Sequence, residues 1–248
     1  MTKIAIIGGS GLENPDILQH QERKIINTPY GDPSSDFTCG FIGGTEVVIL
    51  SRHGREHTIT PSKVNNRANL YAIQQLGCTH ILATTACGSL RENIGRGDLV
   101  IPDQFIDFTR HRDITFFDSF KAGEINHTPM ADPFDKNLSE KLVAAGKELN
   151  LNIQAGGCIL TIEGPRFSTR AESKMFRTWG GDLINMSTAP ECILANELGI
   201  PYAAIAMATD FDSWKEDEEP VSWEEILKVF GQNVHNVIEI LLKVIPTV

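Results

Sequence analysis

Asn66 to Thr85, NRANLYAIQQLGCTHILATT, changes its apolar period halfway along, and that change decides the fold. From Asn66 to Leu76, the residues Leu70, Ile73 and Leu76 recur at helical spacing, and Gly77 follows where a helix end favours a left-handed residue. His80 to Thr85 (HILATT) is then an apolar run of strand length. A helix that feeds straight into a buried strand is the repeating unit of an α/β protein. Downstream the alternation continues. Asp98 to Ile101 predicts a strand, while Leu138, Leu142, Ala145 and Leu149 make a helical stripe before a strand over Ile153 to Ile162. Ala171 to Trp179 predicts a helix, Leu183 to Met186 a strand, and Pro190 to Leu198 a helix stopped by Gly199. Tyr202 to Met207 (YAAIAM) is a further buried strand. The last helix starts at Ser222, spaced from Glu225 as in a capping box, with Ile226, Val229, Phe230, Val234, Val237 and Leu241 on its core face.

Upstream the pattern differs. Lys3 to Ile7 is a short buried strand, and Asp36 to Ile42 with Glu46 to Leu50 flanks Gly43-Gly44 as a hairpin would. The hairpin makes the sheet mixed. The expectation is therefore an α/β fold in one domain over residues 1–248, with a mixed central β-sheet flanked by helices.

Composition narrows the function. The 248 residues are 41% hydrophobic and 22% charged, which is ordinary for a globular domain and argues against disorder. No stretch approaches the roughly 20 apolar residues of a membrane helix, and MTKIAIIGGSG lacks the long apolar run of a signal peptide. The expected location is cytoplasmic, with no membrane contact. The formal charge of −10 leaves no basic footprint for nucleic acid. Cys39, Cys78, Cys87, Cys158 and Cys192 are far apart and form no CxxC pair, so buried free thiols are expected.

Several motifs fail on their spacing. IAIIGGSG (Ile4 to Gly11) would need a third glycine where Asn14 stands, and Pro15 interrupts the following helix, which speaks against a dinucleotide site. Ser10 is one residue out of register for a nucleophile elbow. His53-Gly54-Arg55-Glu56-His57 has the H-x-x-E-H spelling of a zinc site, but Gly54 and the following Thr58-Ile59-Thr60-Pro61 make it a loop rather than a helix, so no metal is expected.

Other residues converge. Gly9-Ser10-Gly11, Arg52-His53, Thr84-Thr85-Ala86-Cys87-Gly88-Ser89 and Met186-Ser187-Thr188 each set small hydroxyls, glycines or a cation at a strand end or loop. Ligands of open α/β sheets gather at strand carboxyl ends, and these groups suit an inorganic anion. Taken singly, such residues are mostly caps and turns. Past YAAIAM come Asp210 and Asp212, which as turn residues would be unremarkable, but over a ligand one could act as an acid with its pKa raised by apolar walls. Glu216 to Glu219 reads as a solvated loop.

The blocks GGSGL, LSRHGREHTITPSKVN, TTACGSLRE, TIEGPRFSTRAES, INMSTAPE and AMATDFDSWK together resemble the 5′-methylthioadenosine phosphorylases, a family of the purine nucleoside phosphorylase superfamily, from about Lys3 to Ile245. The resemblance implies a nucleoside phosphorylase-like fold and a pentosyltransferase. It implies phosphate held by Ser10, Arg52, His53, Thr85, the Ala86 backbone and Ser187. It also implies Met186 at the ribose, Asp210 facing purine N7 as proton donor, Asp212 near the exocyclic amine, and Phe211 and Phe167 against the nucleoside. His57, and His127 from a neighbouring subunit, would close around the 5′ substituent, with Ser168 and Trp223 at positions that set specificity. No cofactor is implied, since phosphate is a co-substrate. The implied assembly is a homotrimer, with a hexamer as the alternative. Asp210, where relatives selective for 6-oxopurines carry Asn, favours adenine nucleosides. A broader or 6-oxopurine phosphorylase, hydrolysis of the same bond, and a non-catalytic nucleoside or phosphate sensor remain the competing readings.

Overall fold

In the computed structural model, residues 2–8, 17–216 and 223–248 are described, with backbone alone over 223–230. Ser10, the cap pair Ser222 and Glu225, the side chains of Trp223, Ile226, Val229 and Phe230, and residues 217–219 of the acidic run therefore lie outside the described residues. The structure is a mixed sheet flanked by helices, as the alternating periods require. Strand β1 (Lys3–Gly8) lies parallel between β4 (Thr45–Ser51) and β5 (His80–Ser89), and β11 (Tyr202–Phe211) runs parallel along the other side of β5. These strands are apolar almost throughout because helices cover both faces. Side chains alternate between two cores. Ala5 and Ile7 join Leu70 and Ile73 of α1 (Asn66–Gln75) and Leu194 of α4 (Thr188–Glu197). Ile4 and Ile6 join Leu138 and Leu142 of α2 (Lys136–Glu148) and Val237 and Leu241 of α5 (Trp223–Val244). Each fully buried Leu or Ile contributes about 1.5–3 kcal/mol.

The hairpin of β3 (Phe37–Ile42) and β4 turns at Gly43 and Gly44, with φ of 55° and 85°. Two positive φ values in succession are the geometry of a tight hairpin turn, and glycine adopts it without strain. Asn65 caps α1 by accepting from the Ala68 N–H, and Asp135 does the same for α2 with Leu138. The helix α3 (Arg170–Thr178) opens on a capping box between Thr169 and Glu172.

Four expectations need correction. The strand at HILATT continues through Ala86, Cys87, Gly88 and Ser89, because β11 pairs with it over that whole length. YAAIAM likewise extends to Phe211, past a register irregularity between Ala208 and Asp210. The single strand over Ile153 to Ile162 is two, β8 (Ile153–Ala155) and β9 (Cys158–Ile162). They are broken by Gly156 and Gly157 at φ 77° and 142°, and the pieces pair with different neighbours. Finally, β2 (Gln19–Lys24) and β7 (Gln104–Phe108) are strands that the pattern did not suggest. QHQERK has no apolar alternation. It is a charged edge strand formed by pairing with β3, and charge at an edge discourages further pairing.

Candidate active site

The sheet forks at β5. On one side β1 stops pairing at Ile7–Ala83, and β10 (Leu183–Asn185) takes over in antiparallel sense only at Gly88 and Ser89. Between them the edge from Thr84 to Cys87 is open. Ile81 N–H donates to Pro201 O at 2.8 Å on the β11 side. Alternation along the strand turns the Thr84 carbonyl and the Ala86 N–H the other way, into the fork. Ala86 is exposed there.

Arg52 enters this fork from the end of β4, its backbone N–H donating to Gly8 O at 2.9 Å. It is 2% exposed. Its Nε and Nη2 form a forked pair with Glu191, Nη2 to Oε2 at 3.0 Å, while Nη1 donates to Thr84 O at 2.9 Å. Tyr202 Oη donates to the same Glu191 Oε2 at 3.0 Å. Burial alone would lower the Arg52 pKa; the Glu191 carboxylate reverses that, and the guanidinium stays charged. Glu191 was not foreseen from the sequence. The available signal was a carboxylate set between the apolar Ala189-Pro190 and Cys192-Ile193-Leu194 of TAPECILANE.

Beside the arginine lies a cluster of hydroxyls. Thr85 Oγ1 and Ser187 Oγ are 3.2 Å apart, and the Asn185 Nδ2 donates to Thr85 at 3.0 Å and to Thr188 at 2.6 Å. Ser187 is the N-cap residue of α4, yet its side chain caps nothing. Its hydroxyl turns instead to the Thr85 and Asn185 side chains at the cavity wall, at the positive end of a helix where anions are favoured.

His53 Nδ1 lies 2.9 Å from Ile59 O, so that nitrogen carries the proton and donates. Burial first, then the neighbouring Arg52 charge, lowers its pKa to about 4. The His57 ring stacks on it at 4.7 Å.

Across the cavity stand the carboxylates. Thr209 Oγ1 donates to Asp210 Oδ1 at 2.7 Å. Asp212 is 7% exposed, and its Oδ2 has no hydrogen-bond partner. Burial raises its pKa, partly offset by the nearby Ser173 hydroxyl and Ser213 backbone. Trp214 pins this end, its indole N–H donating to Ser89 O at 2.8 Å and its ring stacked on the Arg177 guanidinium at 3.5 Å. Met186 is fixed from two sides. Arg112 Nη1 donates to its carbonyl at 3.3 Å, and Gly164, at φ 67°, leaves room for its sulfur, which would lie 2.5 Å from any Cβ there.

Arg52, His53, His57, Thr85, Ala86, Phe167, Met186, Ser187, Asp210 and Asp212 thus line one cavity of about 200 Å³. A larger hollow of about 1160 Å³, around Phe134 and Tyr202, shares no lining residue with it, and the convergence of reactive groups rather than size marks the site. Not every expected residue joins the cavity. The Phe211 ring is taken up by Trp214 at 5.9 Å and by the Lys215 ammonium at 3.8 Å. Ser168 is buried beside a neighbouring hollow, its Oγ unpartnered. His127 is exposed, against Phe120 at 5.9 Å, and does not line the cavity of its own chain. The H-x-x-E-H segment is a series of turns, and no cluster among the described residues has the make-up of a metal site. No described helix is long and apolar enough to cross a membrane.

A forked mixed sheet with a buried arginine, a hydroxyl cluster and two carboxylates around one cavity defines an α/β protein whose polar groups converge at the carboxyl ends of its strands. The chain belongs to the Phosphorylase superfamily, whose family model matches residues 3–246. It is 53% identical over 249 residues to the S-methyl-5′-thioadenosine phosphorylase of Xenopus tropicalis, covering 99% of this chain and 89% of that protein. Among solved structures, the methylthioadenosine phosphorylase of Schistosoma mansoni in complex with adenine superposes with a TM-score of 0.94 at 41% identity, covering 100% of this chain and 92% of that one. A mutant adenosine/methylthioadenosine phosphorylase from the same organism, in complex with methylthioadenosine, gives 0.93 at 40% identity with the same coverage.

Proposed function

We propose that this chain is a pentosyltransferase that cleaves the N-glycosidic bond of 5′-methylthioadenosine with inorganic phosphate, yielding adenine and 5-methylthioribose 1-phosphate. The observation that carries the reading is the pairing, within one cavity, of a cationic, hydroxyl-lined end at Arg52, Thr85 and Ser187 with a carboxylate end at Asp210 and Asp212. Relatives named for this activity, and a neighbour complexed with methylthioadenosine, support the substrate.

The chemistry follows from charge. As C1′–N9 breaks, its electron pair moves onto the purine and positive charge grows on C1′. A phosphate oxygen held by the Ala86 N–H, Arg52, His53, Thr85, Ser187 and Ser10 forms the new C1′–O bond and stabilises that cation on the way. Asp210 protonates N7 while Asp212 accepts from the exocyclic amine, and Met186 and Phe167 pack against the nucleoside. Overall, the proton of hydrogen phosphate ends on adenine. The balance closes with phosphate as co-substrate and without a cofactor. Ser168 and Trp223 tune the range of bases and 5′ groups. The enzyme works in the cytoplasm as one domain, and as a homotrimer in which the exposed segment carrying His127, with Phe120 and Ile125 at its surface, closes a neighbour's cavity beside His57.

The test is purine release from methylthioadenosine, adenosine and inosine, each with and without phosphate, alongside the mass of the assembly by light scattering. Phosphate-dependent adenine release, fastest from methylthioadenosine, is expected. Release without phosphate would make the enzyme a hydrolase, and a preference for inosine would overturn the role given to Asp210.

A further inference from the structure

Asn185 touches more of the hydroxyl cluster than any residue so far given a role. Its amide is held in one orientation. The Ser187 backbone N–H, which can only donate, faces one amide atom at 3.4 Å. Thr161 Oγ1 faces the same atom at 2.8 Å, and Thr161 itself receives the Ala189 N–H at 3.1 Å. Having accepted from the backbone, the Thr161 hydroxyl gives its own proton forward, so the atom it meets is the carbonyl Oδ1. The amide NH₂ is thereby turned toward Thr85, Ser187 and Thr188, at 3.0, 3.4 and 2.6 Å.

A hydroxyl has one proton to give. When its oxygen already receives an N–H, that proton turns outward to the next acceptor. Thr85 and Ser187 both line the cavity; of the two amide protons one goes to Thr188 at 2.6 Å and the other is shared between Thr85 at 3.0 Å and Ser187 at 3.4 Å. All four members of the chain from Thr161 onward are at least nine-tenths buried, so solvent does not compete for these bonds.

We propose that Asn185 is a positioning residue for phosphate: its amide aims the Thr85 and Ser187 hydroxyl protons at the anion, with the direction set through Thr161 by the first turn of α4. The inference rests on the reading of this end of the cavity as the phosphate site. It treats the cluster as a one-way series of donors, from the Ala189 N–H to the bound oxygen. A carboxylate at 185 would reverse it, drawing the hydroxyl protons back toward the protein.

The experiment is a double-mutant cycle on the full chain, with KM for phosphate and KM for methylthioadenosine measured separately for Asn185→Ala, Ser187→Ala and the pair. Asn185→Ala alone is expected to raise the phosphate KM about tenfold, the worth of a hydrogen bond to a charged group. On top of Ser187→Ala the same change should cost less than about threefold, because one of the hydroxyls it aims is gone. The nucleoside KM should stay level throughout. Strict additivity, or a parallel rise of both KM values, would overturn the proposal and leave Asn185 a packing residue. Should Asn185→Ala not fold, the isosteric Asn185→Asp serves: it must raise the phosphate KM further still, and an unchanged value would overturn the proposal. Phosphate-independent release by the unmodified chain would be a different failure, that of the phosphorolysis reading itself, and would remove this inference with it.

Discussion

At the Arg52 end of the cavity the polar groups meet partners within the protein: Arg52 has Glu191 and Thr84, Glu191 also has Tyr202, and Asn185 has three hydroxyls. At the opposite end, the Asp212 Oδ2 is buried with no partner. The charges at one end are paired within the free protein; at the other a buried carboxylate oxygen is completed only by what binds. A satisfied network holds its geometry without a ligand, which suits a small anion with no shape to recognise. Unsatisfied atoms keep a standing desolvation cost that the correct ligand relieves and a wrong one does not, which is how hydrogen-bonding sites discriminate.

The contrast breaks most visibly at Asp210, the one carboxylate given a chemical step. Asp210→Asn should lower kcat for methylthioadenosine by about 10²–10⁴, the usual worth of a positioned general acid, with little change in Tm. Full activity in that variant would show that the open end recognises without reacting. Next comes Glu191→Gln at the paired end. Removing one member of a buried pair strands the other charge, so unfolding in urea should show a loss of about 3–5 kcal/mol. A loss confined to phosphate KM, with stability intact, would mean that Arg52 relies on its ligand after all.

These two ends were unequally legible in the sequence. Arg52, Thr85, Ser187, Asp210 and Asp212 stand at or near the ends of apolar runs, so period and residue type located them together with the α/β alternation. Glu191 and Asn185 are hidden among apolar neighbours; the contacts of Glu191 with Arg52 and Tyr202, and the pairing of β10 with β5 and β9 around Asn185, join elements that local pattern does not connect. The same holds for the fold. Helices with strong stripes fell within a residue or two of their places, whereas β2 is all polar and exists through its partner β3. The lengthening of β5 to Ser89 likewise depends on β11, whose Phe211 pairs with Ser89, and no local pattern carries that.

Asp212→Asn sharpens the comparison in two directions at once. The raised pKa of Asp212 means that the folded state holds its proton more tightly than the unfolded chain. Stability therefore falls as pH rises from the ordinary carboxylate range to the raised value, and stays lower above it. The Asn variant should lack that fall and be more stable than the parent at neutral pH. Its preference for adenosine over inosine should shrink by about tenfold, one charge-assisted hydrogen bond. A variant that loses stability instead would mean the carboxylate is satisfied in the free protein.

The smallest effect is expected at His53, where the paired end meets solvent. Its folded pKa is lowered to about 4 from 6.5, chiefly by burial and then by Arg52. The unfolded chain thus takes up a proton that the folded protein refuses. The stability tied to neutral His53 is fully present above 6.5 and is lost as pH falls toward about 4. His53→Gln should flatten the pH dependence of Tm in the upper part of that window, above the range where carboxylates titrate. A histidine resonance that titrates near its ordinary value in the parent would refute the assignment. The neutral ring also has a defined polarity: with Nδ1 donating to Ile59 O, Nε2 can only accept. Every other group assigned to the anion can donate to it, so His53 is suited to the one oxygen of hydrogen phosphate that carries a proton. Phosphate affinity in His53→Gln, whose amide can present either an acceptor or a donor, should accordingly fall less than in Ser187→Ala.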